Sequence, residues 1–325
     1  MAASRVLVLR QMTEKQHEIL HETLGDVAEI LMGGGANREE VLRLVSQADV
    51  LLAGQNFGRE IPVEDFPHLA GVKLIQLVSA GTDHVQVAAL PPAVSLAGNA
   101  GAFAAPMAEH VMAMLLALSK QIVIQDRKLR RGEFDHDTTS RSLSGLTAGI
   151  IGFGGIGRAT AQLMRAFDIR IQAINTSGRT LEPVEFVGTL GQLEQVLRAA
   201  DVTVLSLPLT DKTRKLIGGR ELKWMKPDGI LINVARGALI DQRALYEHAL
   251  AHPRFLIGLD VWWAEPFRDG RLRTEYPLME LDNVIGSPHN SGNVPGIIDH
   301  AVRSAAENIK HFLMGERVVG LVDRS

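Results

Sequence analysis

Ala148-Gly-Ile-Ile-Gly152-Phe-Gly154-Gly155-Ile156-Gly157 is the stretch on which the fold turns. It carries the spacing G-x-G-x-x-G at 152, 154 and 157, behind an apolar run and ahead of a helical pattern over 156–167. Between a strand and a helix, each glycine has a mechanical use. Gly152 allows a tight turn, Gly154 allows backbone to approach a diphosphate, and Gly157 allows helix and sheet to pack closely. Gly155 and Ile156 then open the helix, whose free amides and dipole favour an anion. The bland alternative is a glycine-rich turn that binds nothing. The strand before, the helix after and a further strand favour a dinucleotide site.

Outward from that turn, apolar runs at 169–174, 202–207, 229–234, 255–260 and 284–287 read as strands, with helices at 190–199 and 242–251. An earlier series has strands at 6–9, 50–52, 73–78 and 94–96, with helical patterns at 13–24 and 38–46. Strands separated by helices require crossovers and hence parallel sheets. The expected class is α/β with two doubly wound parallel-sheet domains. Between the series, 106–131 reads as one long helix with Val111, Met114, Leu115 and Leu118 on one face, followed by a loop over 132–144. The final segment, 294–314, is helical and has no strand of its own.

Composition agrees with two globular domains. The 325 residues are 46% hydrophobic and 22% charged, and 34 Lys and Arg against 37 Asp and Glu leave a charge of −3. That balance gives no basic footprint for nucleic acid. Zero cysteines exclude disulfides, thiolate metal sites and a cysteine nucleophile. No metal is expected, since the 11 histidines show no ligand spacing. The most apolar run, 111–118, is far shorter than the roughly 20 residues a bilayer requires. No signal-peptide core is visible at the N-terminus, so the expected location is cytoplasmic.

The second strand of the later series bears on the cofactor. An NAD site usually places Asp or Glu there to accept from the ribose hydroxyls. This chain has Asn175-Thr176-Ser177-Gly178-Arg179 instead. Arg179 can bind a 2′-phosphate, and Thr176 and Ser177 can donate hydrogen bonds to it. The expectation is NADP in preference to NAD; a polar turn with Arg179 in solvent is the alternative.

Three later strands end in chemistry-bearing residues: Val234-Ala235-Arg236-Gly237, Asp260-Val261, and Ser287-Pro-His289. Ligands of open α/β sheets bind beyond the carboxyl ends of strands. A guanidinium there can clamp a 2-keto or 2-hydroxy acid carboxylate, and an imidazole can exchange the hydroxyl proton during hydride transfer. A carboxylate such as Glu265 would hold that ring.

In these residues the chain resembles the D-isomer-specific 2-hydroxyacid dehydrogenase family, of glyoxylate and hydroxypyruvate reductase type, over nearly its whole length. The stretches that carry the resemblance are Leu77-Val-Ser79-Ala80-Gly81-Thr-Asp83-His84-Val85, Met107-Ala-Glu109-His110, the glycine turn, Val234-Ala-Arg236-Gly237, 260–266, and Pro288-His289. The resemblance implies a flavodoxin-like substrate domain, 1–100 plus 292–325, with a Rossmann NAD(P)-binding domain, 101–291, inserted in it. It implies that Arg236 binds substrate and that Glu265 and His289 form the acid–base pair. Asp260 and Met107 would lie near the nicotinamide, Leu207 and Pro208 would flank the adenosine, and Val234 and Ala235 would line the cofactor. The substrate carboxylate would rest on backbone amides around Ser79, Ala80 and Gly81. The implied reaction is NAD(P)H-dependent reduction of a small 2-keto acid, by a homodimer. Alternatives are NAD-dependent 3-phosphoglycerate dehydrogenase and, from another class, a nucleotide-sensing corepressor or scaffold. Gln55 and Asn56 are weaker candidates for substrate contact. His84 and His110 read as structural, and Trp262 or Trp263 as either a pocket wall or core.

Overall fold

Val6, Leu7 and Val8 are wholly buried on both faces, the environment a parallel strand needs between covering helices. In the computed structural model, which describes residues 4–54, 57–266 and 270–323, they belong to strand β1, Ser4–Val8. The chain divides into two compact units, Met1–Phe103 with Val294–Ser325, and Ala104–Asn293.

The first unit holds β1, β2 (Ala28–Met32), β3 (Val50–Ala53), β4 (Leu74–Leu77) and β5 (Ser95–Ala97), in the order β2-β1-β3-β4-β5. Every pair is parallel. Helix Glu14–Leu24 starts at a capping box, in which Thr13 and Gln16 satisfy each other's backbone amides. The segment after the second unit returns as helix Ile297–Leu313. Buried amides fasten it: Asn99 Nδ2 donates to Val78 O and Ala301 O at 3.0 and 2.7 Å, and Asn308 Nδ2 donates to Gln76 Oε1 at 2.6 Å.

The second unit is built on seven parallel strands: β6 (Thr147–Ile151), β7 (Arg170–Ile174), β8 (Phe186–Gly188), β9 (Val202–Leu205), β10 (Ile230–Asn233), β11 (Leu256–Leu259) and β12 (Val284–Gly286). Their order is β12-β11-β10-β9-β6-β7-β8. Side chains alternate between two cores, with Ile151, Leu205, Leu231 and Ile257 in one and Ile150, Val204, Ile230 and Ile232 in the other. Both faces are therefore closed to water, as a doubly wound sheet requires. The fold is α/β with two parallel sheets. Among the described residues no single helix is long and apolar enough to cross a membrane.

Three local expectations are corrected. The long helix over 106–131 is two helices, Ala104–Ser119 and Ile122–Arg130, bent by 57°. The carbonyl of Ser119 accepts from the Arg141 amide at 2.8 Å, and Gln121 turns left-handed at φ 54°. Only the first helix buries its apolar face, through Val111, Leu115 and Leu118. Strands β2 and β8 were not expected; both lie at sheet edges and are only partly buried. The last helix begins at Ile297, after Gly296 at φ 78°, and not at 294.

Candidate functional site

The glycine turn links β6 to helix Gly155–Arg165. Gly152 has φ 102°, which disfavours any side chain. A Cβ there would lie 2.6 Å from Leu207 N and from the Ser206 carbonyl, so the backbone just after β9 approaches too closely for alanine. The amides of Gly152 and Phe153 both donate to Ile174 O, at 2.9 and 2.8 Å, and Ser206 Oγ donates to Gly152 O at 2.9 Å. Gly157 is crowded by Gly152 O at 2.5 Å, the close helix–strand packing its spacing implies. Gly154 differs. A Cβ there meets nothing within 4 Å, and the helix it precedes has no side-chain cap. Open space over uncapped amides at Gly155 and Ile156 fits the diphosphate of a dinucleotide.

At the end of β7, Asn175 builds a compact turn. Its Oδ1 accepts from the amides of Ser177 and Gly178 at 3.1 and 2.7 Å and from Ser177 Oγ at 3.2 Å. Its Nδ2 donates to Arg179 O at 2.8 Å. Thr176, Ser177 and Arg179 are exposed around it. Leu207 is buried beyond β9 while Pro208 is exposed, and Thr213 Oγ1 donates to Pro208 O at 2.8 Å. Met107 lies half-buried on helix Ala104–Ser119, against the core that contains Val234.

Arg236 is presented by a second side-chain-built turn. Buried Asn233, the last residue of β10, accepts from the Ala235 amide at 3.0 Å and donates to Arg236 O at 2.8 Å. Gly237 is obligatory beside it, because a Cβ would lie 2.4 Å from the backbone of Trp262. Asn233 thus shapes the turn that carries Arg236, a part the sequence did not disclose. Its signal was there: an amide at a strand end directly before a small-residue turn.

Strands β10, β11 and β12 are parallel neighbours, so their carboxyl ends lie side by side. Beyond β11, Glu265 is buried, and its Oε1 accepts from the Trp262 amide at 3.0 Å. The same oxygen is 2.9 Å from His289 Nδ1. His289 follows β12 in the left-handed region at φ 54°, a conformation that costs a side-chain-bearing residue about 1–2 kcal/mol. Fully buried Asp260 accepts at Oδ1 from Ser287 Oγ (2.6 Å) and the Asn290 amide (3.1 Å), and at Oδ2 from the Ser291 amide (3.2 Å). Burial pushes the Asp260 carboxyl up, but those hydrogen bonds together outweigh it and hold the group below the usual carboxylate value. Trp262 and Trp263 are anchored by their indoles to Ser287 O and Ile240 O, at 2.9 and 2.8 Å.

In the first unit, Ser79, Ala80 and Gly81 follow β4 as a half-buried loop. Ser79 Oγ donates to Gly81 O at 3.1 Å, and Ser79 O accepts from the Asn99 amide at 2.9 Å. The amides of Ala80 and Gly81 have no acceptor among the described residues, which suits a backbone anion seat. Gln55 and Asn56 lie outside the described residues. No cluster of metal-ligating side chains occurs among the described residues.

The second unit thus brings His289 against Glu265 through its ring and against Asp260 through its backbone amide, and places Arg236, the glycine turn, Asn175 and Leu207 along the same carboxyl edge of one sheet. Comparison with known proteins bears on this arrangement. The family model described as D-isomer specific 2-hydroxyacid dehydrogenase, NAD binding domain, matches residues 112–291. The D-3-phosphoglycerate dehydrogenase of Methanocaldococcus jannaschii is 31% identical over 318 residues, which is 96% of this chain. This chain spans only 58% of that relative's length. The glyoxylate reductase of Thermofilum pendens is 30% identical and is matched over 100% of this chain and 96% of its own. A solved D-isomer specific 2-hydroxyacid dehydrogenase family protein from Aeromonas salmonicida is 25% identical, with a TM-score of 0.78 over 99% of each chain.

Proposed function

We propose, from a chain that belongs to the D-isomer specific 2-hydroxyacid dehydrogenase family, the reduction of a small 2-keto acid of glyoxylate or hydroxypyruvate type to its D-2-hydroxy acid. The observation that carries this reading is the 2.9 Å contact between Glu265 and His289 Nδ1, at the sheet edge that also presents Arg236. A carboxylate on Nδ1 fixes the ring's tautomer and orientation, which leaves Nε2 as the atom that hands a proton to the ketone oxygen. Arg236 clamps the substrate carboxylate and polarises the adjacent carbonyl, as a planar two-point donor does. Within the first unit, the amides of Ala80 and Gly81, beside Ser79, are proposed as a backbone seat for a carboxylate. When bound, the nicotinamide cofactor supplies the hydride. Gly152 to Gly157 would hold its diphosphate, Asn175 to Arg179 its adenosine ribose, Leu207 and Pro208 its adenine, and Met107, Val234, Ala235 and Asp260 its nicotinamide end.

NADP is the preferred cofactor in this proposal. Every acceptor contact of Asn175 Oδ1 goes to its own turn, and no carboxylate stands there to repel a 2′-phosphate. Arg179, Ser177 and Thr176 are exposed donors around the position. A second reading, NAD-dependent 3-phosphoglycerate oxidation, draws on relatives such as the M. jannaschii enzyme; the missing acid at 175 argues against it. A homodimer is also proposed. Exposed Ile122, Leu129 and Phe134, beyond a helix Ala104–Ser119 whose own apolar face is buried within its unit, support it. Light scattering in solution tests it.

The decisive experiment is a rate comparison with NADPH and NADH on glyoxylate, hydroxypyruvate, pyruvate and phenylpyruvate. Turnover of a small 2-keto acid with faster NADPH kinetics is expected. Clear NADH preference would end the cofactor proposal, and cofactor binding without turnover of any substrate would end the proposed reaction.

A further inference from the structure

We propose that His110 and Ser287 are positioning residues for the His289 imidazole, acting through Asp260. The inference rests on reading His289 as the proton-transfer group. Its starting point is the backbone of His289, left-handed at φ 54° with no glycine to ease it. Such a conformation persists only where its surroundings over-determine it. Here they do so from one residue, through its main-chain carbonyl and its carboxylate. The His289 amide donates to Asp260 O at 2.7 Å, while the Asp260 side chain collects the Ser287 hydroxyl and the Asn290 and Ser291 amides. The loop 287–291 is wrapped around a single buried anion.

Ser287 is the hinge pin of that wrap. Its amide donates to Leu259 O at 2.9 Å and its carbonyl accepts from Trp262 Nε1 at 2.9 Å, so its main chain is held on both sides. Its hydroxyl proton points to Asp260 Oδ1 at 2.6 Å, which leaves the oxygen to accept from His110 Nε2 at 2.9 Å. His110 must therefore carry its proton on Nε2. That nitrogen also lies 3.7 Å from Asp260 Oδ1. One chain of contacts thus runs from helix Ala104–Ser119 through Ser287 and Asp260 to the His289 backbone. Removing His110's N–H frees the hydroxyl to rotate, loosens the loop, and lets the imidazole drift from Glu265.

The test compares Ser287→Ala, Ser287→Thr, His110→Leu and His110→Gln with the parent enzyme. Ser287→Ala and His110→Leu should lower kcat on the order of 10- to 100-fold, the sensitivity expected of a small misplacement of a reacting group. The KM for cofactor should stay within about twofold, since no uniform binding is removed. Ser287→Thr keeps the hydroxyl and His110→Gln keeps a donor, so both should restore most of kcat. Adding Ser287→Ala to His289→Gln should cause no further loss, because the two changes act through one group. Amide hydrogen exchange gives a readout that needs no substrate: in Ser287→Ala the amides of Asn290 and Ser291 should exchange at least roughly tenfold faster. Unchanged kcat in both disruptive variants overturns the inference, as do unchanged exchange and the absence of rescue by threonine and glutamine. A parent enzyme that reduces no 2-keto acid refutes the proposed reaction instead, and the exchange measurement then still decides whether these residues hold the loop.

Discussion

Alanine at Gly152 and alanine at Gly154 should have opposite consequences, although the two positions are two residues apart. At Gly152 the backbone sits at φ 102°, and a new Cβ would come within 2.6 Å of Ser206 C, Ser206 O and Leu207 N. Those atoms cannot retreat cheaply, because the Ser206 amide donates to Ile151 O at 2.9 Å and joins the ends of β6 and β9. The left-handed backbone costs about 1–2 kcal/mol and overpacking adds about 1–3 kcal/mol. Together that is about 2–5 kcal/mol, out of the roughly 5–15 kcal/mol that holds a typical protein folded. For a unit of this size each kcal/mol moves the melting temperature by about 2–4 °C, so a fall near 10 °C is expected. At Gly154, φ is −91° and no atom lies within 4 Å of the new methyl. The melting temperature should hold, while the methyl fills the space proposed for the diphosphate and weakens NADPH binding by about tenfold or more, ~1.4 kcal/mol. Calorimetry without cofactor and a fluorescence titration with NADPH separate the two effects. If Gly154→Ala melts as early as Gly152→Ala, or binds NADPH as the parent does, the assignment of the two glycines is wrong.

Other perturbations have equally direct readouts. His289→Ala should reduce kcat by about 10²–10⁴-fold with NADPH affinity near the parent's by fluorescence; an unchanged kcat would move proton transfer elsewhere. Arg236→Lys should lower kcat/KM on the order of 10²-fold, because an ammonium cannot make the two-point clamp, and parental steady-state kinetics would discard the clamp. His248 packs between His252 and Phe255, and burial, with a smaller push from His252, lowers its pKa to about 4. Its unfolded value is near 6.5, so between these values the unfolded chain binds the extra proton and stability falls as pH falls, by about 1 kcal/mol per pH unit. His248→Phe should flatten the melting-temperature slope between about pH 6.5 and 4; parallel slopes for the two proteins would show that His248 contributes nothing to it.

Most strands that were legible in the sequence are buried on both faces, although the edge strands β5 and β12 were legible too. Thr147–Ile151, Val202–Leu205 and Ile230–Asn233 are buried along their whole length and read as continuous apolar runs. Strand β2 carries Glu29 among exposed and half-buried positions and β8 spans only three residues, so no apolar run marks either. The break at Gln121 was invisible for another reason: neither glycine nor proline stands there, and Ile122, Val123 and Ile124 continue the apolar pattern past it. What ends the first helix is the Arg141 amide, 22 positions after Ser119, and no local pattern reports such a partner. The candidate site was legible because its residues follow strand ends directly, where the strand assignment fixes their place. Ser287 stands within those stretches and Asn233 directly before one of them, yet their work depends on which carbonyl, amide or ring each one meets.

Asp260 joins a proposed position to an observed structural role. Its place after β11 suggests a residue near the nicotinamide, and its fully buried carboxylate accepts from a hydroxyl and two amides of the loop that carries His289. A protonated carboxyl would lose acceptor capacity to exactly those donors, which is why the same contacts that organise the loop also hold the group in its charged form against the pull of burial. An anion stabilised by three donors of one short loop is, in turn, what lets a histidine occupy a left-handed backbone there. Asparagine at 260 would keep the shape and one acceptor oxygen but turn an amide toward donors that have nothing to give it. Loop order and proton transfer should therefore fail together in Asp260→Asn, with the exchange rates of the Asn290 and Ser291 amides rising as kcat falls. A variant that lost kcat while those amides stayed protected would mean that Asp260 acts on the reaction directly.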